Sequence, residues 1–223
     1  MRDHIGFPGA GTIGCSIFQQ HKFGYLGALP TGCVIPTYRV ELPLNLNEDE
    51  LKAFLREHTE GCGWVVKPPF CTNCEGVTFC KTAEDVYGVL HSMEATFFER
   101  DLPYLMVQPT LVNRKEYKVV CLKRVPKYIS MHSRSGTGTA FGIEQEIMEF
   151  AGNILANYSV EESIVDMLCR VDVMCYQGRY VVNELESFEA LFSGPRDHED
   201  VVIPFLVGFW KHQLMLAAIS LLS

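Results

Sequence analysis

The sequence predicts an α+β protein built from two lobes. Strand-like runs and amphipathic helices are mixed along the chain, and a late pair of strands, Arg170 to Glu186, turns back on itself at "YQGR" as an antiparallel hairpin. We expect the lobes to meet near Tyr104 to Leu111, where no long Gly/Ser linker occurs. Residues 1–31 are then a leader or a remnant of a preceding region, residues 32–105 the N-lobe and residues 106–223 the C-lobe.

The predicted N-lobe starts with a short amphipathic helix in "LNEDELKAFLREH", for which Asn47 is the expected N-cap. A buried strand, "GWVVKP", follows and ends at Pro68. The turn-rich segment "PPFCTNCEG" then leads to a second strand, "VTFCK". Thr82 is the expected cap of the next helix, whose first turn is acidic.

The predicted C-lobe holds further strands and two helices. "PYLMVQPTLV" and "EYKVVCLKRVPKYISM" supply at least three strands, the last two joined around Arg124 to Pro126. "IEQEIMEFAGNILANY" and "VEESIVDMLC" have helical spacing, and the hairpin follows them. The apolar segment from residue 201 onward contains Pro204, Lys211 and His212, which are costly at a bilayer centre, so it predicts a packed terminal helix.

Composition narrows the class of function. The 223 residues are 48% apolar with a net charge of −8, and the basic residues form no run, which argues against a nucleic-acid partner. The N-terminus lacks the apolar core of a signal peptide, so we expect no membrane partner and no export. Nine scattered cysteines, an odd number, suit reduced thiols in a cytoplasmic protein. A small-molecule or metal-dependent role is favoured.

Three motifs are only weak evidence for a ligand or metal site. "GAGTIG", Gly9 to Gly14, matches a dinucleotide fingerprint as a string, but no preceding strand or βαβ unit accompanies it. "SRSGTGTAFG" is either a loop that donates backbone N–H groups to phosphate or a plain surface loop. Cys71 and Cys74 form a tight pair without a matching second pair, so zinc and a loop with incidental thiols both stay open.

Two segments suit a nucleotide. Lys67 closes an apolar strand beside a loop that ends at Gly76, an arrangement that suits phosphate, although a strand-end lysine that reaches solvent is common. Gln108 and Pro109 end another apolar strand, and Glu116 opens the next. Backbone groups at such a crossing can pair with adenine and the carboxylate with ribose, whereas an exposed hairpin is the plain alternative.

The late hairpin carries three acids in otherwise apolar strands. Asp172 precedes Glu184 by twelve positions, so the strands can bring them side by side, and Glu186 points to the same face as Glu184. Clustered carboxylates need cations, and Mg²⁺ shared with phosphates meets that need. Arg170 shares the face of Asp172, and a lattice in which Arg170 and Arg179 salt-bridge the acids across an exposed sheet face is the alternative.

In order as well as in type, these residues resemble an ATP-grasp domain, as found in D-alanine:D-alanine ligase, glutathione synthetase and related carboxylate–amine ligases. The resemblance covers roughly Gly32 to Phe192 and rests on "VVKPPFCTNCEGVTF", "LMVQPTLVNRKEYKV" and "RVDVMCYQGRYVVNELE". It implies that Lys67 and an upstream lysine, nearest to Lys22, bind the nucleotide with the loop ending at Gly76. It further implies that four hinge residues face adenine, Gln108, Pro109, Thr110 and Leu111, and that Glu116 faces ribose.

By the same resemblance, Asp172, Glu184 and Glu186 bind two Mg²⁺ or Mn²⁺ ions, and Arg170 stabilises the reacting species. Two departures concern Glu186, where many members have asparagine, and the loop after Lys67, which has bulkier residues. Most members also carry a domain before the grasp, of which little is present, so a fragment, a minimal form and a partner chain or second copy that supplies it stay open.

The implied function is an ATP- and Mg²⁺-dependent ligase that joins a carboxylate to an amine or thiol through an acyl phosphate. The alternatives are an ATP-grasp small-molecule kinase and a nucleotide-binding module without turnover. The sequence contains no Ser/His/Asp or Cys/His constellation, which agrees with chemistry by positioning and charge.

Overall fold

Two four-stranded antiparallel sheets form the framework of the described chain. The computed structural model describes residues 26–30, 32–58, 63–69, 76–98, 104–111, 116–131, 141–157 and 168–186, and positions 203, 207, 211, 214 and 215. The first sheet has the order β1-β4-β2-β3, with β1 Tyr38–Glu41, β2 Trp64–Lys67, β3 Thr78–Cys80 and β4 Tyr104–Pro109. The second has the order β6-β5-β7-β8, with β5 Glu116–Leu122, β6 Val125–Met131, β7 Leu168–Tyr176 and β8 Arg179–Glu186.

Two helices, α1 (Glu48–Glu57) and α2 (Ala83–Phe98), belong with the first sheet. The Asn47 side chain accepts a hydrogen bond from the Glu50 N–H at 3.3 Å, and Thr82 Oγ1 accepts from the Asp85 N–H at 3.1 Å. Both predicted caps are therefore confirmed. The apolar side of the sheet packs with the helices around a core that includes Leu51, Val66, Leu90, Leu105 and Val107.

One helix, α3 (Phe141–Ala156), packs on the second sheet. Alternate residues of β5 and β7 point into the core beneath it, as the two-residue period of a strand requires. This core includes Val119, Cys121, Ile147, Leu155 and Val171, and the upstream Leu26 and Leu29 join it.

The predicted hairpin is confirmed as β7 and β8. Its turn is made by Gln177 and Gly178, whose φ angles of 50° and 73° both lie in the left-handed region. Two successive positive φ angles give a turn whose twist matches that of the flanking strands. The register pairs Tyr176 with Arg179 next to the turn and Asp172 with Glu184 farther along.

The second predicted C-lobe helix, "VEESIVDMLC", is wrong at its end. Leu168 and Cys169 already belong to β7, and Cys169 is fully buried opposite Cys121 of β5. Pairing with β5 therefore overrides the helical spacing at these two residues. The earlier residues of that segment lie outside the described part of the chain.

Two sets of strand pairings lie close to the predicted lobe limits, which stay predictions. β4 spans the predicted boundary between residues 105 and 106 yet pairs with both β1 and β2 of the first sheet. Upstream, Cys33 to Ile35 pairs with β8, because the Val182 N–H donates to the Cys33 carbonyl at 2.7 Å and the Ile35 N–H donates to the Val182 carbonyl at 3.0 Å. Residues 33–35 therefore extend the second sheet, where Ile35 is buried.

The described positions of the predicted terminal helix, 203, 207, 211, 214 and 215, are helical, and all five residues are exposed. Among the described residues, no helix combines the length and apolarity needed to cross a membrane. The Gly9 to Gly14 motif, Lys22, Cys71 and Cys74 lie outside the described residues.

Candidate functional site

One side of the second sheet carries polar residues at positions that alternate with its core. Because Tyr117, Val119, Val171 and Val173 point into the core, the residues between them point to the opposite side. We call this side, together with the residues paired to it on β8, the polar face: Glu116, Lys118, Arg170, Asp172, Asn183, Glu184 and Glu186.

The register brings the predicted acids together on this face. Asp172 is the cross-strand partner of Glu184, and Arg170 is the partner of Glu186. The predicted side-by-side placement of Asp172 and Glu184 is thereby confirmed. Lys118 of β5 lies opposite Asp172 on the other flank. Carboxylates and cations thus occupy neighbouring rows of this face. Directly paired positions in antiparallel sheets have their Cβ atoms about 4.5–5.5 Å apart.

Arg170 and Asp172 form a buried bidentate ion pair. Arg170 Nε donates to Asp172 Oδ1 at 2.6 Å, and Arg170 Nη2 donates to Asp172 Oδ2 at 2.7 Å. The two side chains are only 11% and 2% exposed, and Arg170 Nη2 also lies 3.9 Å from Glu186 Oε1. The alternative in which Arg170 salt-bridges the acids is therefore present in the described structure, but in a buried setting rather than on an exposed sheet face.

Burial shifts both ionisation equilibria of this pair. For Asp172, burial raises the pKa most strongly, the bond from Arg170 lowers it, and the charge of Glu116 raises it again, so that the pKa is about 6. For Arg170, burial alone would lower the pKa, but the hydrogen bond and the charge of Asp172 more than offset this and raise it. The pair is therefore ionised at neutral pH, while the site retains excess negative charge.

Glu116 lies on the same face and is held by a residue that the sequence analysis did not single out. Asn183 Nδ2 donates to Glu116 Oε1 at 2.8 Å. Asn183 occupies a β-bulge, because Asp172 pairs with Glu184 while the next residue, Val173, pairs with Val182. Strict alternation from Glu184 would turn Asn183 to the opposite side of the sheet, so no sequence pattern indicates its role. Lys118, also missed, was detectable two positions after Glu116.

The predicted phosphate lysine and the first hinge residue lie in the first sheet. Lys67 is the last residue of β2, is buried, and pairs with Met106 of β4. Gln108 is buried on β4, and its Nε2 donates to Thr37 Oγ1 at 2.8 Å. The amide of Gln108 is thus used within the protein. Gly76 forms part of the turn before β3, with a φ of 71° in the left-handed region.

The remaining hinge residues follow directly. Pro109 pairs with Trp64, and the Thr110 N–H donates to the Gly63 carbonyl at 2.8 Å. Thr110 Oγ1 is buried and makes no hydrogen bond in the part of the chain that the structure describes. Leu111 packs in a small core with Ile35, Tyr176 and Val181. A buried hydroxyl of this kind is costly unless a ligand or water satisfies it.

The two lobes also contact one another beside this hinge. His58, the C-cap of α1, makes a 2.9 Å hydrogen bond through Nδ1 with the hydroxyl of Tyr176 at the end of β7. Of the predicted site residues, the structure unites those of the second sheet on one face. It places Lys67, Gln108 and Pro109 on the paired strands β2 and β4, with Thr110 and Leu111 directly after β4. Lys22 lies outside the described residues.

The polar face suits Mg²⁺ in its donor chemistry. It presents four carboxylates and two cationic side chains, and oxygen ligands are those that Mg²⁺ prefers. Among the described residues, however, no group of three His, Cys, Asp or Glu side chains is already arranged to hold a metal ion. Both oxygens of Asp172 already accept from Arg170, and the predicted ligand roles of Asp172, Glu184 and Glu186 stay predictions.

Comparison with solved structures identifies the architecture. The D-alanine–D-alanine ligase from Coxiella burnetii matches with a TM-score of 0.61 over 92% of this chain and 62% of that chain, at 15% identity. The chain has an ATP-grasp-like fold. The D-alanine–D-alanine ligase from Bacillus anthracis matches with a TM-score of 0.59 at 17% identity, over 88% of this chain and 70% of that chain. A D-cycloserine synthetase matches with a TM-score of 0.59 at 17% identity, over 88% of this chain and 71% of that chain.

These likenesses establish the ATP-grasp-like fold and confirm the α+β class and the sequence resemblance. At such identities they concern the fold alone. This chain spans 62% of the length of the Coxiella enzyme. The sequence matches no protein-family model and has no significant match among curated protein sequences. The chemistry of the ATP-grasp-like fold in this chain therefore has to be argued from its own residues.

Proposed function

We propose that this chain binds ATP with Mg²⁺ and uses it to join a carboxylate to an amine or a thiol. The observation that best supports this function is the polar face of the second sheet. There Arg170, Asp172, Glu184 and Glu186 occupy two directly paired rows, with Glu116 nearby. A partly buried excess of carboxylates within an ATP-grasp-like fold is suited to metal-bound phosphates and serves poorly as a purely structural core.

The nucleotide would contact both sheets. Lys67 and the loop ending at Gly76 would bind the phosphates, Lys22 would assist, and Gln108 to Leu111 would line the adenine site. The buried hydroxyl of Thr110 supports this placement, since it lacks a hydrogen-bond partner among the described residues. Because the Gln108 side chain already donates to Thr37, its contribution to adenine would come from the main chain. Glu116 would accept from ribose hydroxyls.

The proposed chemistry proceeds in two steps. A substrate carboxylate oxygen attacks the γ-phosphorus, the bond to the β,γ-bridging oxygen breaks, and ADP leaves. Attack of an amine or thiol on the acyl phosphate then expels inorganic phosphate, with loss of the proton of the nucleophile. When bound to Asp172, Glu184 and Glu186, two Mg²⁺ or Mn²⁺ ions would offset the negative charge gathered at the phosphates.

Arg170 has the main catalytic role that the chain itself supplies. Its guanidinium donates to Asp172 in the described structure. When these N–H groups of Arg170 no longer donate to Asp172, they can stabilise the oxyanion that develops at the acyl carbon. Lys67 offsets charge on the transferred phosphoryl group. The partners would be a small-molecule carboxylate and an amine or thiol, with a partner chain or a second copy as a source of further substrate contacts, and the cysteine pattern suits the cytoplasm.

Thermal unfolding with and without ATP and Mg²⁺ tests the site, comparing the wild-type chain with Glu184→Gln. We expect ATP with Mg²⁺ to raise the melting temperature of the wild type and Glu184→Gln to lose the Mg²⁺-dependent part. Glu149→Gln on the exposed side of α3 is a matched control, because Glu149 bonds only to Gln145 of its own helix in the described structure. It should behave as the wild type.

ADP release across a panel of carboxylates and amines or thiols tests the reaction. Release that requires both substrates, with formation of an amide or thioester, supports the ligase. A phosphorylated acceptor without such a product would identify a kinase, and ATP binding without turnover on any panel favours a binding module. If ATP and Mg²⁺ leave the melting temperature unchanged, the proposed ATP site is wrong.

A further inference from the structure

Asn183 connects the two parts of the polar face. It lies on β8 next to Glu184, yet its side chain donates to Glu116, which opens β5 on the far side of β7. The 2.8 Å bond therefore reaches across the intervening strand. Because 67 positions separate the two residues in the sequence, the contact exists only in the folded sheet.

The bulge makes this contact possible. With regular pairing Asn183 and Glu184 would point to opposite sides of the sheet, but the additional residue between the Asp172 and Val173 pairs breaks the alternation. Bulges are known to redirect a side chain beside a functional site. The main chain of the preceding residue, Val182, is held on its outer edge by Cys33 and Ile35 at 2.7 and 3.0 Å, which fixes the strand where the bulge begins.

The chemistry of an amide suits this position. Glu116 adds to the negative charge around Asp172 and raises the pKa of that residue. A cationic partner for Glu116 would change the charge balance of the polar face, whereas the Asn183 amide donates a hydrogen bond without adding charge. It engages only Oε1 of Glu116, so the second oxygen has a defined direction and can accept from a ligand hydroxyl.

We infer that Asn183 is a positioning residue, which holds the Glu116 carboxylate in the orientation that accepts hydrogen bonds from the ribose hydroxyls of the nucleotide. The inference rests on the proposed ATP site. It adds a residue and a role that neither the fold nor the acidic motif of the hairpin supplies. Its distinguishing consequence is that Asn183 affects recognition of ribose and leaves recognition of phosphates and adenine unchanged.

Calorimetric titration with ATP and with 2′,3′-dideoxy-ATP, both in Mg²⁺, measures that consequence. For Asn183→Ala we expect the Kd for ATP to rise about tenfold, the scale of one hydrogen bond to a charged group. The Kd for the dideoxy nucleotide should stay at the wild-type value. Asn183→Asp has the same size but lacks the donor, so it should lose selectivity for ribose equally. Asn157→Ala, which removes a surface amide that directly follows α3 and donates to the Asn153 carbonyl, is the control.

A double-mutant cycle separates positioning from an independent contact. In a Glu116→Ala background, which removes the acceptor of the Asn183 bond, Asn183→Ala should cost no further affinity for ATP. Equal losses for both nucleotides, additive effects in the cycle, or unchanged selectivity in Asn183→Asp would each overturn the inference while the ATP site stands. Absence of ATP binding by the wild-type chain would overturn the ATP site and, with it, this inference. Unfolding temperatures equal to that of the control exclude a general loss of structure.

Discussion

Replacing Arg170 by methionine removes one partner of the buried ion pair and leaves the other in place. The Asp172 side chain is 2% exposed and loses two short bonds, at 2.6 and 2.7 Å. Cross-strand Glu184 then remains as a like charge at its side. Loss of one partner of a buried pair generally costs about 3 to 5 kcal/mol of the free energy of unfolding. We expect Arg170→Met to fall in that range at pH 7.5 without divalent ions.

The loss should depend on pH in a definite direction. The pKa of Asp172 in the folded protein is about 6, above its ordinary value of 3.8. A raised carboxyl pKa contributes stability that is complete below pH 3.8 and disappears as pH rises through about 6. Without Arg170 the pKa of the Asp172 carboxyl rises further. Protonation therefore removes the buried negative charge of the variant at a higher pH than in the wild type. The destabilisation should therefore be larger at pH 8 than at pH 5.

Urea unfolding of the wild type and Arg170→Met at pH 5 and pH 8, in a chelator, measures both effects. Lys52→Met is the control, because it breaks a pair of similar length, 2.8 Å to Glu48, whose side chains are 49% and 65% exposed. It should cause no measurable change. A loss below about 1 kcal/mol for Arg170→Met, the level of a surface pair, would refute the reasoning, as would an equal loss at the two pH values.

Two further predictions concern the framework. Gly63→Ala should destabilise the fold by about 2 kcal/mol or more, since Gly63 has a φ of 91° and an added Cβ would overlap the Cys80 carbonyl. Gly88→Ala in α2 meets open space and should stabilise by about 0.5 to 1 kcal/mol, so chemical unfolding of both tests the contrast. Under native conditions, exposed Cys175 should be alkylated well before the buried Cys80, Cys121 and Cys169 by peptide mass mapping. Burial also raises the pKa of Cys80, and equal labelling of Cys175 and Cys80 would contradict this.

Sequence patterns predict the parts of the fold that depend on local chemistry. The caps at Asn47 and Thr82 follow from side chains that accept from their own helix, and the hairpin follows from apolar strands around a turn with Gly178. The pairing of Asp172 with Glu184 follows from that turn, because the turn fixes the register of both strands. These features need no knowledge of distant contacts.

Features that depend on distant contacts escape sequence reasoning. Cys169 reads as the end of a helix, yet its place opposite Cys121 depends on β5, 48 positions earlier. Asn183 escapes because a single inserted residue reverses the alternation, and no residue type marks that point. The bond between Arg170 and Asp172 could be anticipated as an alternative, but its burial depends on β7 lying between β5 and β8.

The segment of residues 33–37 shows how the two walls of the proposed site are connected. At one end Cys33 and Ile35 bond to Val182, directly before the bulge that directs Asn183. At the other end Thr37 accepts from Gln108 at 2.8 Å on the hinge strand of the first sheet. These bonds fix the edge of β8 and the end of β4 against the same five-residue stretch. The hinge residues and the polar face, far apart in the sequence, are therefore held by one short piece of chain. Under the proposed function, this segment would pre-form the frame in which a nucleotide contacts both.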